Sequence, residues 1–244
     1  MDDRDVFQNS KRFIDAYNNI DYTLKARYNF NRSMGFSDLI RKTVSMNYVV
    51  AKYEDDLIDY GRLRNAIIHS NNENFVIAEP HDSVVENIEH IEKLLVTPPL
   101  AIETVARKNV LVIDSEKSMK DVIIAIAESG FSNIPVYNKN RELIGVANGQ
   151  KILSSFGQYL LSGGKSETFL NHVKVEDMLS TLDGSDYYVV KKTDCTVEEA
   201  LSEFNNNHKL LAILFTKKGG KNEIPVGIMT GSNIVEAQNI IENY

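Results

Sequence analysis

Arg64, Asn65 and His69 close the segment Arg64-Asn65-Ala66-Ile67-Ile68-His69, and their types and spacing suit chemistry on an anionic substrate. An imidazole with a reference pKa of about 6.5 can take or give a proton at neutral pH. A guanidinium is a planar fork that meets two oxygens of one phosphate at once. On a helix, Asn65 lies one turn from His69 at i, i+4, so it shares a face with the ring and can orient it or the substrate. A plainer reading stays open. A histidine in the last turn of a helix interacts favourably with the terminal carbonyls, and an arginine beside Tyr60 and Leu57 can lay its stem along a seam.

That segment needs a helix to carry it. Phe13, Tyr17, Ile20, Leu24 and Tyr28 recur at helical spacing, which predicts a first helix up to a break at Asn31 to Gly35. Ser37 is positioned to cap a second helix with Leu39, Ile40 and Val44. Val49, Val50, Tyr53, Leu57, Tyr60 and Ile67 predict a third, with Glu54-Asp55-Asp56 as its solvated face and the polar run Ser70 to Asn74 as its end. A fourth starts near Asp82 or Ser83, carries Val84, Ile88, Ile91 and Leu95, and stops before Pro98-Pro99. Four such stripes can bury one another as a bundle over residues 1–96, with 97–100 as a linker.

After about Ala101 the period changes and the pattern repeats. Strand candidates Asn109 to Asp114, Asn133 to Asn138 and Glu142 to Ala147 enclose a helix bearing Met119, Val122, Ile123 and Ile126. A helix from Gly149 to Leu161 closes the copy. The second copy has strands Tyr187 to Lys192, Leu210 to Thr216 and Ile224 to Thr230, a helix with Val197, Ala200, Leu201 and Phe204, and a last helix from Gly231. Thr196 with Glu199, and Ser118 with Asp121, form matching helix-start boxes. The expected division is 101–161 for the first copy, 162–173 for a connector and 174–244 for the second.

Composition narrows the function classes. The net charge is −7. Residues 1–69 hold 11 Lys+Arg against 10 Asp+Glu, or +1; the remainder holds 16 against 24, or −8. A chain-wide electrostatic grip on nucleic acid is therefore excluded, and any RNA contact must be local to the N-terminal part. No apolar run approaches the roughly 20 residues that span a bilayer, and the opening residues show no secretory signal. With Cys195 as the one cysteine, a cytoplasmic protein without membrane contact is expected. The histidines show no ligand spacing, so no metal is expected. Ser162-Gly163-Gly164-Lys165-Ser166 lacks the first glycine of a phosphate loop and follows a helix instead of a strand.

Two resemblances follow. Each C-terminal copy resembles a CBS domain, a β-α-β-β-α unit that works in pairs. The resemblance rests on Val112 to Ile126, Asn133 to Val136 and Gly145 to Asn148 in the first copy. In the second it rests on Val175 to Met178, Val189 to Phe204 and Gly227 to Thr230. Arg64-Asn65-x-x-x-His69, at the end of a third helix with one more to follow, resembles the signature of HEPN domains. These are four-helix bundles, many of them metal-independent ribonucleases or ribonuclease toxins. The implied fold is an all-α four-helix bundle followed by an α/β tandem CBS pair.

The CBS resemblance implies an adenine-containing ligand (AMP, ADP, ATP, or a cyclic or dinucleotide form) and no required cofactor. The family pattern places a glycine, a hydroxyl residue and an aspartate at set spacing. The glycine lets backbone approach the ligand, the hydroxyl at a helix start suits phosphate, and the carboxylate accepts from ribose. Here Gly227 and Thr230 match, while Asn233 replaces the aspartate. In the first copy Asn148 and Lys151 stand at the last two positions, so Lys151 can pair with phosphate but not accept from ribose. Leu210, Leu211, Ala212, Asn133 and Ile134 are candidate base walls. If the clefts have degenerated, Thr230 and Asn233 are helix caps only.

The HEPN resemblance implies RNA cleavage by the neighbouring 2′-OH, with His69 moving the proton and Arg64 clamping the phosphate. It implies a homodimer, because such sites are composite across two bundles. RNA, not DNA, is the expected substrate. A non-catalytic adaptor with a helical dimerisation domain is the alternative.

Overall fold

The structure, a computed structural model, describes residues 8–69, 79–180 and 187–244. It divides into two compact units. The first comprises Met1–Pro99 with Thr196–Ser202 and Asn239–Tyr244; the second comprises Leu100–Cys195 with Glu203–Gln238. The helices α11 (Val197–Asn206) and α12 (Ile234–Asn243) therefore each contribute residues to both.

In the first unit α1 (Gln8–Arg27) buries Phe13, Tyr17, Ile20 and Leu24, as the stripe predicts, and packs chiefly along α5 (Asp82–Val96). Tyr28 falls beyond the helix. The buried face of α5 is Val85, Ile88, Ile91, Leu94 and Leu95, one residue round from the predicted Val84. The second helix, α2 (Phe36–Thr43), starts two residues earlier than a Ser37 cap implies. Gly35 is its N-cap and no side chain caps it, so Ser37 lies inside the first turn and does not cap.

The expected third helix is two. Asn47 caps α3 (Tyr48–Lys52) by accepting from the Val50 N–H at 2.9 Å, and Tyr53 leaves the helical region at φ −111° and ψ 25°. Then α4 (Glu54–His69) begins, with Glu54, Asp55 and Asp56 as its first turn. Three carboxylates favour the positive end of a new helix dipole, so this acidic run marks a start and not a mid-helix face. Five helices, not four, thus run between Gln8 and Val96 among the described residues. The polar run Ser70 to Asn74 lies outside the described residues; further on, the Glu79 carboxylate accepts from the Asn9 and Ser10 N–H groups.

Also within this unit, Lys52 pairs with Glu242 at 2.6 Å, His90 Nε2 lies 3.0 Å from the Ile241 carbonyl, and Lys93 Nζ lies 4.3 Å from the Tyr244 ring centre.

The second unit holds two three-stranded sheets of one topology. In repeat 1, β1 (Ile113–Asp114) runs parallel to β2 (Asn133–Tyr137), which pairs antiparallel with β3 (Leu143–Asn148). In repeat 2, β4 (Tyr188–Lys192), β5 (Ala212–Thr216) and β6 (Gly227–Thr230) repeat this order. The first strand is shorter than Asn109 to Asp114, since Asn109 takes φ 59°. The helix α7 (Met119–Ser129) has the predicted Ser118–Asp121 box and buries Met119 and Val122, but leaves Ile123 exposed. The Thr196–Glu199 box is also present, and α8 (Gly149–Leu161) has the predicted bounds.

The connector is not irregular. It forms α9 (Ser166–His172), whose Phe169 enters the core of repeat 1, followed by α10 (Val175–Ser180). Side chains from both sheets, Tyr137, Leu143, Val146, Tyr188, Ala212, Leu214 and Ile228, make one further core. The repeats are joined reciprocally. A Cβ on Gly227 would lie 2.2 Å from Ile102 of α6 (Ala101–Thr104), and one on Gly145 would lie 3.0 Å from Leu179 of α10. Each short helix preceding one repeat thus lies over the third-strand glycine of the other.

Candidate functional site

In the helical unit, Arg64 and Asn65 line a cavity of about 440 Å³ with Tyr17, Asn18, Gly35 and Ser37. The α4 backbone sets them side by side on the outer turns: Leu57, Tyr60 and Ile67 face the core, leaving Arg64 half-buried and Asn65 exposed. Arg64 donates through one terminal nitrogen to Asn65 Oδ1 at 3.3 Å, and its guanidinium lies 5.7 Å from the Tyr17 ring centre. Its Nε is buried and has no hydrogen-bond partner. Burial pushes the Tyr17 hydroxyl up to about 12, with Asp21 adding to the shift, so at neutral pH Tyr17 is a neutral wall and not a base. The uncapped first turn of α2 borders the same cavity and carries Asp38, so the wall holds Asp21 and Asp38 as well as Lys25 and Arg64. His69 is the last residue of α4; its side chain lies outside the described residues. The structure thus brings Arg64 and Asn65 together on one cavity wall.

In the second unit the predicted ligand residues form two local clusters. Asn148 Nδ2 donates to Asn133 Oδ1 at 2.8 Å, while Asn148 Oδ1 accepts from the Lys151 N–H at 3.0 Å. At the matching place in repeat 2, Asn233 Oδ1 accepts from the Thr230 N–H at 3.0 Å, and the Thr230 and Ser232 hydroxyls are 2.8 Å apart. Both arrangements are helix-start caps. Lys151 places its ammonium 3.5 Å from the Tyr187 ring centre, beside a cavity of about 20 Å³, room for about one water and not for a nucleotide.

The apolar candidates do not share a wall. Ile134 is buried in the helix-side core of repeat 1, Ala212 in the sheet-to-sheet core, and Leu210 is also buried. Over Gly227 the space is taken by Ile102, so this glycine admits a neighbouring helix.

Sequence reasoning missed Arg107. Its backbone exchanges both hydrogen bonds with Ile228 of repeat 2, at 2.9 and 3.0 Å. Its guanidinium lies 3.2 Å from the ring centre of Phe131 in repeat 1. The Nε is buried without a partner, and burial pushes the group below the ordinary arginine range, though an arginine keeps its charge at any physiological pH. No motif marks it; a cation just before the first strand of a repeat is the one hint in the sequence.

Residues 102–156, which span repeat 1, match the family model of the CBS domain; a CBS domain is thus present in this chain. No curated protein matches the sequence. Among solved structures, the chain is similar to CBSX2 in complex with AMP, at 22% identity over 59% of this chain and 99% of that one, with a TM-score of 0.43. It is similar to the CBS domain of the bacterial CNNM/CorC family Mg2+ transporter in complex with ATP, at 19% identity, 62% and 92% coverage, and a TM-score of 0.44. A putative acetoin utilization protein (AcuB) from Vibrio cholerae gives 16%, 58%, 92% and 0.43.

Proposed function

We propose that the chain is an adenine-nucleotide-sensing regulator whose CBS pair controls a dimeric, metal-independent endoribonuclease of HEPN type. The observation that carries the nuclease half is Arg64: a guanidinium with an unpartnered nitrogen, beside Asn65, on the wall of a 440 Å³ cavity, in the helix that ends at His69. A phosphate entering that cavity meets the arginine fork, which stabilises charge building on the phosphoryl oxygens. His69 takes the 2′-OH proton, the 2′ oxygen attacks phosphorus, and the bond from phosphorus to the 5′ oxygen breaks as the imidazolium gives that proton to the departing oxygen. The products are a 2′,3′-cyclic phosphate and a 5′-hydroxyl, with no metal in the step. Asn65 positions the ring or the ribose.

The sensor half is supported by the CBS family match and by Arg107, which offers a buried donor next to an aromatic face. Exposed Ile123, Ile124, Leu153 and Val235 on the helices of the repeats support a homodimer. Ligand acts through its different affinity for two arrangements of the dimer.

One observation favours the adaptor instead. Thr230, Asn233 and Lys151 already have internal partners, as caps would in a non-catalytic dimerisation module. An RNA cleavage assay separates the two. Wild type, Arg64→Ala and His69→Ala are compared with chelator present and with AMP, ADP, ATP and cyclic or dinucleotide ligands in turn. Cleavage lost in both variants and indifferent to chelator supports the nuclease. Absence of cleavage under every ligand leaves the adaptor.

A further inference from the structure

A second cavity of about 530 Å³ adjoins the first. It is lined by Tyr22, Phe30 and Arg32, and shares Asp21 and Lys25 with the Arg64 cavity. The two make one groove along the outer side of α1. Its aromatic content is unlike that of an ordinary solvated face: Tyr22 stands 69% exposed in mid-helix, where nothing in the packing of α1 calls for an aromatic ring. Lys42 lies 6.0 Å from the Phe30 ring centre. The shared acid is neutralised, since Asp21 pairs with Lys25 at 2.7 Å.

Charge marks the same place. The charged residues that line the two cavities are Lys25, Arg32 and Arg64 against Asp21 and Asp38, with Lys42 beside Phe30, a local excess of cations in a chain of net −7. An exposed ring, Tyr22, beside a half-buried one, Phe30, with cations between them suits an unpaired polynucleotide: the exposed ring offers a stacking surface for a base, and the cations meet backbone phosphates. A duplex hides its base faces and has no use for the rings. An acidic protein would use the cations but leave Tyr22 unexplained.

We infer that this groove is a binding track for single-stranded RNA, with Tyr22 as a base-stacking platform and Arg32 as a phosphate contact, leading the strand to Arg64. The inference rests on the reading that Arg64 meets an RNA phosphate, and adds the form of the substrate and the residues that hold its flank.

The test measures binding apart from cleavage. Full-length His69→Ala is titrated into a labelled unstructured 12-nucleotide RNA and into a 12-base-pair RNA duplex, with anisotropy as the readout. The single strand is expected to bind at least tenfold more tightly. Adding Tyr22→Ala is expected to weaken it about tenfold, the order of one lost base-on-ring stack, while Tyr22→Phe restores it. Adding Arg32→Ala is expected to reduce the salt dependence by about one phosphate contact. Tyr22 and Arg32 are both exposed, and an unchanged circular dichroism spectrum checks the fold of each variant. Equal affinity for the duplex, no loss in Tyr22→Ala, or no RNA binding at all would each overturn the track. Tyr22-dependent binding by a wild type that never cuts RNA would sustain the track and remove the nuclease. Cleavage that is blind to Tyr22 would do the reverse.

Discussion

Arg64 and Arg107 have the same defect in opposite settings. Each has a buried Nε without a partner, at a cost that folding ordinarily avoids. Arg64 sits at the wall of a cavity large enough for a nucleotide, and among the described residues its side chain donates to a neighbour on its own helix. Arg107 lies face to face with Phe131 and is held by its own backbone to another strand. Arg64 thus lines a cavity, whereas Arg107 is stacked on a ring, and an arginine cannot give up its charge to relieve either position. Under the proposed function the first meets substrate and the second meets ligand.

The largest effect expected from this contrast is on catalysis. Arg64→Ala should lower RNA cleavage by about 100-fold or more, as removal of one transition-state donor does, and leave nucleotide affinity unaltered by calorimetry. If Arg64→Ala cuts at the wild-type rate, the two arginines do not differ in the way described.

Glu198 provides the control, since it is a buried charged group that can titrate. It is 2% exposed; Oε1 accepts from the Tyr48 N–H, the Ser202 side chain also bonds the carboxyl, and Arg27 lies 3.6 Å away. Burial outweighs the arginine and pushes its carboxyl up to about 7. The folded chain therefore keeps a proton that the unfolded chain has released. Stability should fall as pH rises from about 4.5 to 7 and level off above, by up to about 3 kcal/mol. Glu198→Gln should flatten that slope in urea titrations at pH 5, 6, 7 and 8. A slope that persists in the variant assigns the effect elsewhere.

Arg107→Ala should weaken adenine-nucleotide binding by about 1.5 to 3 kcal/mol, the range for one hydrogen bond to a charged group, while Arg64→Ala should not. Equal losses in both variants would place one anion site where two are described. The smallest effect is expected at Asn233. Its side chain closes the Thr230 cap, so Asn233→Ala should cost about 1 kcal/mol of stability, read as a shift in the denaturant midpoint. A larger fall in nucleotide affinity than in stability would show that Asn233 also touches ligand.

The stripes of α1 and α5, both helix-start boxes and the doubled strand order were legible because each depends on residues close in sequence. Tyr53 was not. An unbroken apolar period runs through it, and only the three acids after it betray a new helix start. The α9 turn was hidden for a different reason: a short segment with one buried ring, Phe169, has too few periodic positions to register. At the site, Arg64 and Asn65 were legible as a motif. Arg107 was not, because its setting is made by Phe131 and Ile228, distant in sequence and joined to it only by folding. Tyr22 was passed over because it lies off the stripe of its own helix.

The reciprocal seating of Ile102 on Gly227 and Leu179 on Gly145 means that neither repeat is a transplantable module. A chain cut between residue 105 and the first strand would keep every strand of repeat 1, yet it would strip the cover from a strand of repeat 2. Substitutions face the same bond: a methyl group added at Gly227 would lie 2.2 Å from the Ile102 Cδ1 on the far side of a repeat boundary, so that side chain would have to turn aside or be shortened.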